Sequence, residues 1–141
     1  MLDVKTLLNT TITAAISTFT GLDKVATFAS TAELLEDTEQ IVFKDSAIGL
    51  GGVSIDKVAY SNGYDLNVYE VDCLLFMKST AAEANNALNT TTLSNLLRQN
   101  NMSQSGVIWN ELTTINPITN VTDRLKYKEM TILIKEVENI T

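Results

Sequence analysis

Glu70 and Asp72 are the residues whose types and spacing come closest to a reaction centre in this chain. Two carboxylates at i and i+2 of a strand share one face, and burial of one would raise its pKa enough for acid/base work. Charges at this spacing more commonly form the solvated face of a strand. Cys73 stands next to the pair and is the chain's one cysteine, so it makes no internal disulfide. Its place in the apolar row Tyr69, Val71, Cys73, Leu75, Met77 reads as a small core residue rather than a reactive thiol.

The chain has no histidine, which removes the usual general base and the usual metal ligand together. Neither Ser-His-Asp chemistry nor a zinc hydrolase fits. The glycines of SAIGLGG are followed by no Gly-Lys-Ser/Thr and lack Rossmann spacing, so a plain flexible connection is expected there. Trp109 and Tyr127 would have to form the stacking surface of a binding module. Neither has a second aromatic two residues away on its own strand, and Trp109 reads better as a core or interface anchor. The expectation is therefore no enzyme, no catalytic residue, no cofactor and no metal.

Composition narrows the remaining classes. At 141 residues and 45% apolar content the chain fits a single domain over residues 1–141 with its own core. Seventeen acids against ten bases give a net charge of −7, which opposes adhesion to phosphate backbones and anionic lipid. The leading MLDVKTLLNTTITAAISTFTG carries Asp3 and interrupting threonines, unlike an export signal, and no stretch has the length of a membrane span. A soluble protein, made in the cytoplasm, is expected. Five Asn-x-Ser/Thr triplets, beginning at Asn9, Asn89, Asn101, Asn120 and Asn139, reflect a composition rich in Asn and Thr.

The elements that would position these residues follow from periodicity. Residues 2–19 gather Leu2, Leu7, Leu8, Ile12, Ala15, Ile16 and Phe19 near one side of a helix that Gly21 ends. KVATFA leans to strand, STAELLED has the Ser30/Glu33 spacing of a capping box, and TEQIVFK reads as another strand. VSIDKVAY runs into Asn62-Gly63, the strongest short hairpin signal, and GYDLNVYEVDCLLFMKST returns. Residues 80–99 form a second helix with Thr80 as N-cap and Ala84, Ala87, Leu88, Leu93, Leu96 and Leu97 inward. GVIWNELTTI, a loop around Pro117 and DRLKYKEMTILIKEVE complete an α+β fold, a mainly antiparallel sheet with long β-hairpins and two helices packed on one face. Its core is expected to contain Leu8, Ile12, Ile16, Val71, Leu75, Leu88, Leu96, Ile132 and Ile134.

Three strands change their apolar face part-way. Tyr64, Leu66 and Val68 lie in one phase and Tyr69 to Met77 in the other; Leu125 and Tyr127 oppose Met130, Ile132 and Ile134; Val53 and Ile55 oppose Val58 and Tyr60. Either β-bulges wrap the sheet around a single core, or the hairpin near Asn62 leaves the subunit and buries its apolar row on a neighbour. On the second reading Val53, Ile55, Tyr64, Leu66, Val68, Leu125 and Tyr127 form an oligomer interface.

In its order of elements the chain resembles the tail terminator, or tail-completion, proteins of long-tailed bacteriophages. The matching features are the leading amphipathic helix, YDLNVYEVDCLLFMKST running into AAEANNALNTTTLSNLLRQ, and the closing NELTTINPITNVTDRLKYKEMTILIKEV hairpin. The resemblance implies a non-enzymatic virion protein of the tail or neck, assembled in the host cytoplasm. It further implies a homo-hexamer whose ring caps the tail tube protein and meets the head-tail connector or stopper protein, with DNA only as passing cargo and no membrane. An acidic lumen would offer a passing genome no strong binding sites. The segment from Thr31 to Asp45 is longer than a minimal connection. Another neck or head-to-tail joining protein shares much of the pattern, and a small soluble ligand- or peptide-binding module is the alternative outside the virion. A tail tube subunit would have more strand and one main helix.

Overall fold

The computed structural model of the chain describes residues 2–30, 33, 43, 45–78, 83–122 and 125–140. The first helix, α1 (Val4–Ala14), starts where Asp3 accepts hydrogen bonds from the Thr6 N–H at 3.2 Å and from the Thr6 hydroxyl at 2.8 Å. This N-cap satisfies a donor that the first turn leaves open. α1 buries Val4, Leu8 and Ile12, one stripe at i, i+4 and i+8. It is shorter than the apolar pattern implies: a 3-10 turn over Ile16–Thr18 follows, and Ile16 is only half-buried. Gly21 then takes φ 69°, the left-handed conformation that its lack of Cβ permits.

Next come β1 (Leu22–Thr27), β2 (Ser46–Ser61), β3 (Tyr64–Lys78), α2 (Glu83–Gln99), β4 (Val107–Ile115), β5 (Thr119–Thr122) and β6 (Leu125–Asn139). The described strands form one sheet in the order β1-β2-β3-β6-β4, with β5 beside β6. Only β1 and β2 run parallel. The expected α+β architecture is therefore present. SAIGLGG belongs to β2 rather than to a loop: Ala47, Ile48 and Leu50 are fully buried, and a strand covered on both faces shows no alternation by which to recognise it. The helix expected at STAELLED and the strand at TEQIVFK fall mainly outside the described residues, although the Ser30 hydroxyl does accept from the Glu33 N–H at 3.1 Å.

Along β3 and β6 the pairing is continuous from Tyr64 opposite Asn139 to Lys78 opposite Leu125, so neither strand contains a bulge between them. The change of apolar face in β6, from Leu125 and Tyr127 to Met130, Ile132 and Ile134, has another cause. Tyr69, Val71, Cys73 and Leu75 join Met130, Ile132 and Ile134 in the core under both helices. On the opposite face Leu74, Phe76, Ala47 and Leu125 make a second, smaller core with Phe28, Phe43 and Tyr127 against it. At this end the sheet is buried on both sides. In β2 the register shifts between Leu50 and Val53, a bulge ahead of the change of face; from Val53 to Ala59 the pairing with β3 is continuous, and Val58 and Tyr60 stand exposed on the face opposite to Val53 and Ile55.

The second helix is rotated from its expected setting. Its buried residues are Asn86, Asn89, Leu93 and Leu97, while Leu88 is 54% exposed and Leu96 half-buried. Asn89 explains the difference, because its amide accepts from the Thr20 N–H at 2.7 Å and donates to the Thr20 carbonyl at 2.9 Å. An asparagine thus ties the helix to the chain after α1, at a place where a count of apolar residues sees only a polar face. Asn100 and Asn101 end α2 by accepting from the N–H groups of Met102 and Ser103, both left-handed.

Candidate functional site

Glu70 and Asp72 sit on the sheet face away from the helices. Glu70 is exposed opposite Leu133, and Asp72 is half-buried opposite Thr131. Cys73 points the other way into the main core, where burial, with Asp72 adding to it, pushes the thiol up to about 12. A thiol so placed stays protonated. Among the described residues no group of three or more Asp, Glu, Cys or His side chains is arranged to hold a metal ion.

A polar cluster occupies the helix side of the sheet near the β2–β3 turn. Tyr69 donates its hydroxyl to Glu136 at 2.8 Å and accepts from the Leu2 N–H at 3.3 Å. Asn67 donates to Glu136 at 2.9 Å and also to Glu138, whose carboxylate lies 3.6 Å from the Lys57 ammonium; Lys57 lies the same distance from Asp65. Three strands and the segment before α1 are joined there. The hydrogen bond from Asn67, ahead of the Lys57 charge, holds the Glu138 carboxyl below the usual range. Burial and the bond to Glu136 raise the Tyr69 phenol. Sequence reading missed this cluster, because its members lie 67 to 71 residues apart.

The seven residues expected at an interface do not form one patch. Val53 is half-buried against the main core, and Ile55 is 44% exposed on the same helix side. Tyr64, Leu66 and Val68 lie on the opposite face, exposed or half-buried. Leu125 is buried in the second core and Tyr127 packs against it, with its ring 6.0 Å from that of Phe76. These last two serve the subunit's own fold.

Exposed apolar surface gathers instead along the two edges of the sheet. Of the nine large apolar side chains most exposed among the described residues, Ile55, Val58 and Tyr60 are on β2, and Ile108, Trp109 and Ile115 are on β4. Edge strands ordinarily carry charge or proline to discourage pairing, and these two do neither consistently. Beside β4 a groove of about 410 Å³ runs along the end of α2, lined among others by Leu97, Arg98, Val107, Ile108, Trp109 and Asn110. Asn110 donates to the Asn100 carbonyl, while its own buried side-chain oxygen has no partner among the described residues.

No family model matches the chain, and no curated protein sequence matches it. Ten chains of solved structures do match. One is from a structure described as "Virion of native gene transfer agent (GTA) particle": it superposes with a TM-score of 0.64 over 96% of this chain and 95% of its own, at 8% identity. The likeness is one of fold. It covers nearly the whole of both chains, so the helix-sheet-helix-hairpin arrangement is shared as a complete unit and not as an isolated motif. No helix among the described residues is long and apolar enough to cross a membrane.

Proposed function

We propose that this chain is a structural virion protein: a tail-terminator subunit whose ring caps the tail tube and joins it to the head connector, with DNA passing through the lumen. The observation that carries this reading is the near-complete fold match to a chain of a virion particle, 96% of one chain on 95% of the other. Two features of the molecule agree with it. The apolar edges of β2 and β4 are costly for a solitary subunit and useful to one that meets copies of itself. A net charge of −7 disfavours retention of a polyanion passing nearby.

On this reading the chain has no turnover to lose, and Glu70 and Asp72 are surface charges. Tyr64, Leu66 and Val68, on the face away from the helices, are proposed to contribute to contacts in the assembled neck. The partners are the tail tube protein below and the head-tail connector or stopper above.

Tail tubes assembled in the absence of this protein provide the test. The labelled protein, added back and imaged by electron microscopy, should decorate one tube end only and should prevent further tube growth. Uniform decoration along the tubes, or none, would count against the capping role.

A further inference from the structure

The backbone geometry of the two sheet edges points to how copies join. In β3 the Lys78 N–H donates to the Asp45 carbonyl, so the even-numbered residues of β3 bond towards β2 and the odd-numbered towards β6. Val53, Ile55, Lys57 and Ala59 stand opposite odd-numbered residues. Their N–H and C=O groups therefore point away from β3, to an edge that no described strand covers, because β1 pairs with β2 only as far as Leu50. On the other side, Val137 donates to the Gly106 carbonyl and Asn116 to that of Glu129, so the odd-numbered residues of β6 face β4. Asn110 and Leu112 stand opposite even-numbered residues and direct their backbone groups outward.

These two open edges match in height and direction. Pairing across the sheet sets Val53, Val71, Ile132 and Leu112 in one row, Ile55, Tyr69, Ile134 and Asn110 in the next, and Lys57, Asn67, Glu136 and Val107 in a third. The free part of β2 and the first part of β4 thus lie at the same level. β2 runs antiparallel to β3, β3 to β6 and β6 to β4, so β4 runs opposite to β2. A second copy placed beside the first by rotation about an axis along the strands brings its β2 edge antiparallel to the first copy's β4.

We infer that copies of this chain join by extending the sheet: the Val53–Ile55 edge of one copy adds to the Asn110–Leu112 edge of the next, with Ile55 entering the groove between α2 and β4. Ile55 is on the helix side, as is that groove, and shares its row with Asn110 in the groove lining. The contact is head-to-tail, since each copy presents one edge of each kind, and repetition closes into a ring. This inference rests on the ring reading and specifies its interface.

The test uses two variants of the full chain. Ile55→Pro removes an outward N–H while leaving the bonds to β3 in place. Ile108→Glu charges the groove of the opposite edge. Each alone should run at the mass of a single chain in light scattering, whereas an equimolar mixture should give a species of two chains and nothing larger, because one intact pair of edges remains. A mixture that stays monomeric, or either variant assembling like the unmodified protein, overturns the edge pairing. If Ile55→Pro melts early by circular dichroism, Ile55→Asp replaces it with the same expected masses. Unmodified protein that forms rings while Ile55→Pro also does so refutes this interface alone. Unmodified protein that never assembles refutes the ring reading with it.

Discussion

Tyr69 and Glu136, from neighbouring strands β3 and β6, share a 2.8 Å hydrogen bond beneath the start of the chain, and Glu136 is only 7% exposed. Removing the phenol oxygen leaves a buried carboxylate short of a donor, which costs about 1–3 kcal/mol. Tyr69→Phe should lower the unfolding free energy by that amount, seen as a lower denaturant midpoint with an unchanged slope. A midpoint within error of the parent would show that the cluster contributes nothing to stability.

The same cluster contributes to the pH dependence of stability at both ends. Because the Tyr69 phenol is raised above its ordinary 10.0, its contribution is complete below pH 10 and is lost as pH rises through the folded value. Glu138 is lowered from 4.5 by its bond from Asn67, so its contribution is present above that pH and is lost as pH falls through the folded value. Melting temperature against pH should fall at both ends, and Glu138→Gln should flatten the acid limb selectively. An unchanged acid limb in that variant would assign the acid loss to other carboxylates.

Leu75 and Leu88 make a matched pair of probes. Leu75 is 1% exposed in the core between sheet and helices, so Leu75→Ala should cost about 2–5 kcal/mol. Leu88→Ala should stay within about 0.5 kcal/mol, as surface changes do. Chemical denaturation distinguishes them, and equal losses would contradict the setting of α2.

Cys73 should react with thiol reagents only as fast as the molecule opens, because its sulfur is fully buried and its pKa stands near 12. Labelling in native buffer at the rate of a free thiol would place it outside the core.

Much of the fold was legible in the sequence because the strands are long and the Asn62-Gly63 turn is unambiguous; Gly63 takes φ 82° as such a turn requires. Leu8, Ile12, Val71, Leu75, Ile132 and Ile134 are buried as their periodicity implies. What escaped were places where polar side chains do structural work. Asn89 fixes α2 through the backbone of Thr20, and Asn67, Tyr69 and Glu136 meet only when β3 and β6 pair. The apolar face of Leu125 and Tyr127 was visible, but not that Phe28 and Phe43 cover it within the same subunit. Of the two uses that Trp109 suggests, core or interface anchor, the first does not hold, since it is 48% exposed on an edge strand.

Whether this chain is a ring-forming subunit is read most directly from the mass of the purified protein by light scattering together with negative-stain class averages. One discrete oligomer is expected, a closed ring with a central opening and the mass of six copies. A protein that remains a single chain at every concentration, with no rings in the images, would contradict it.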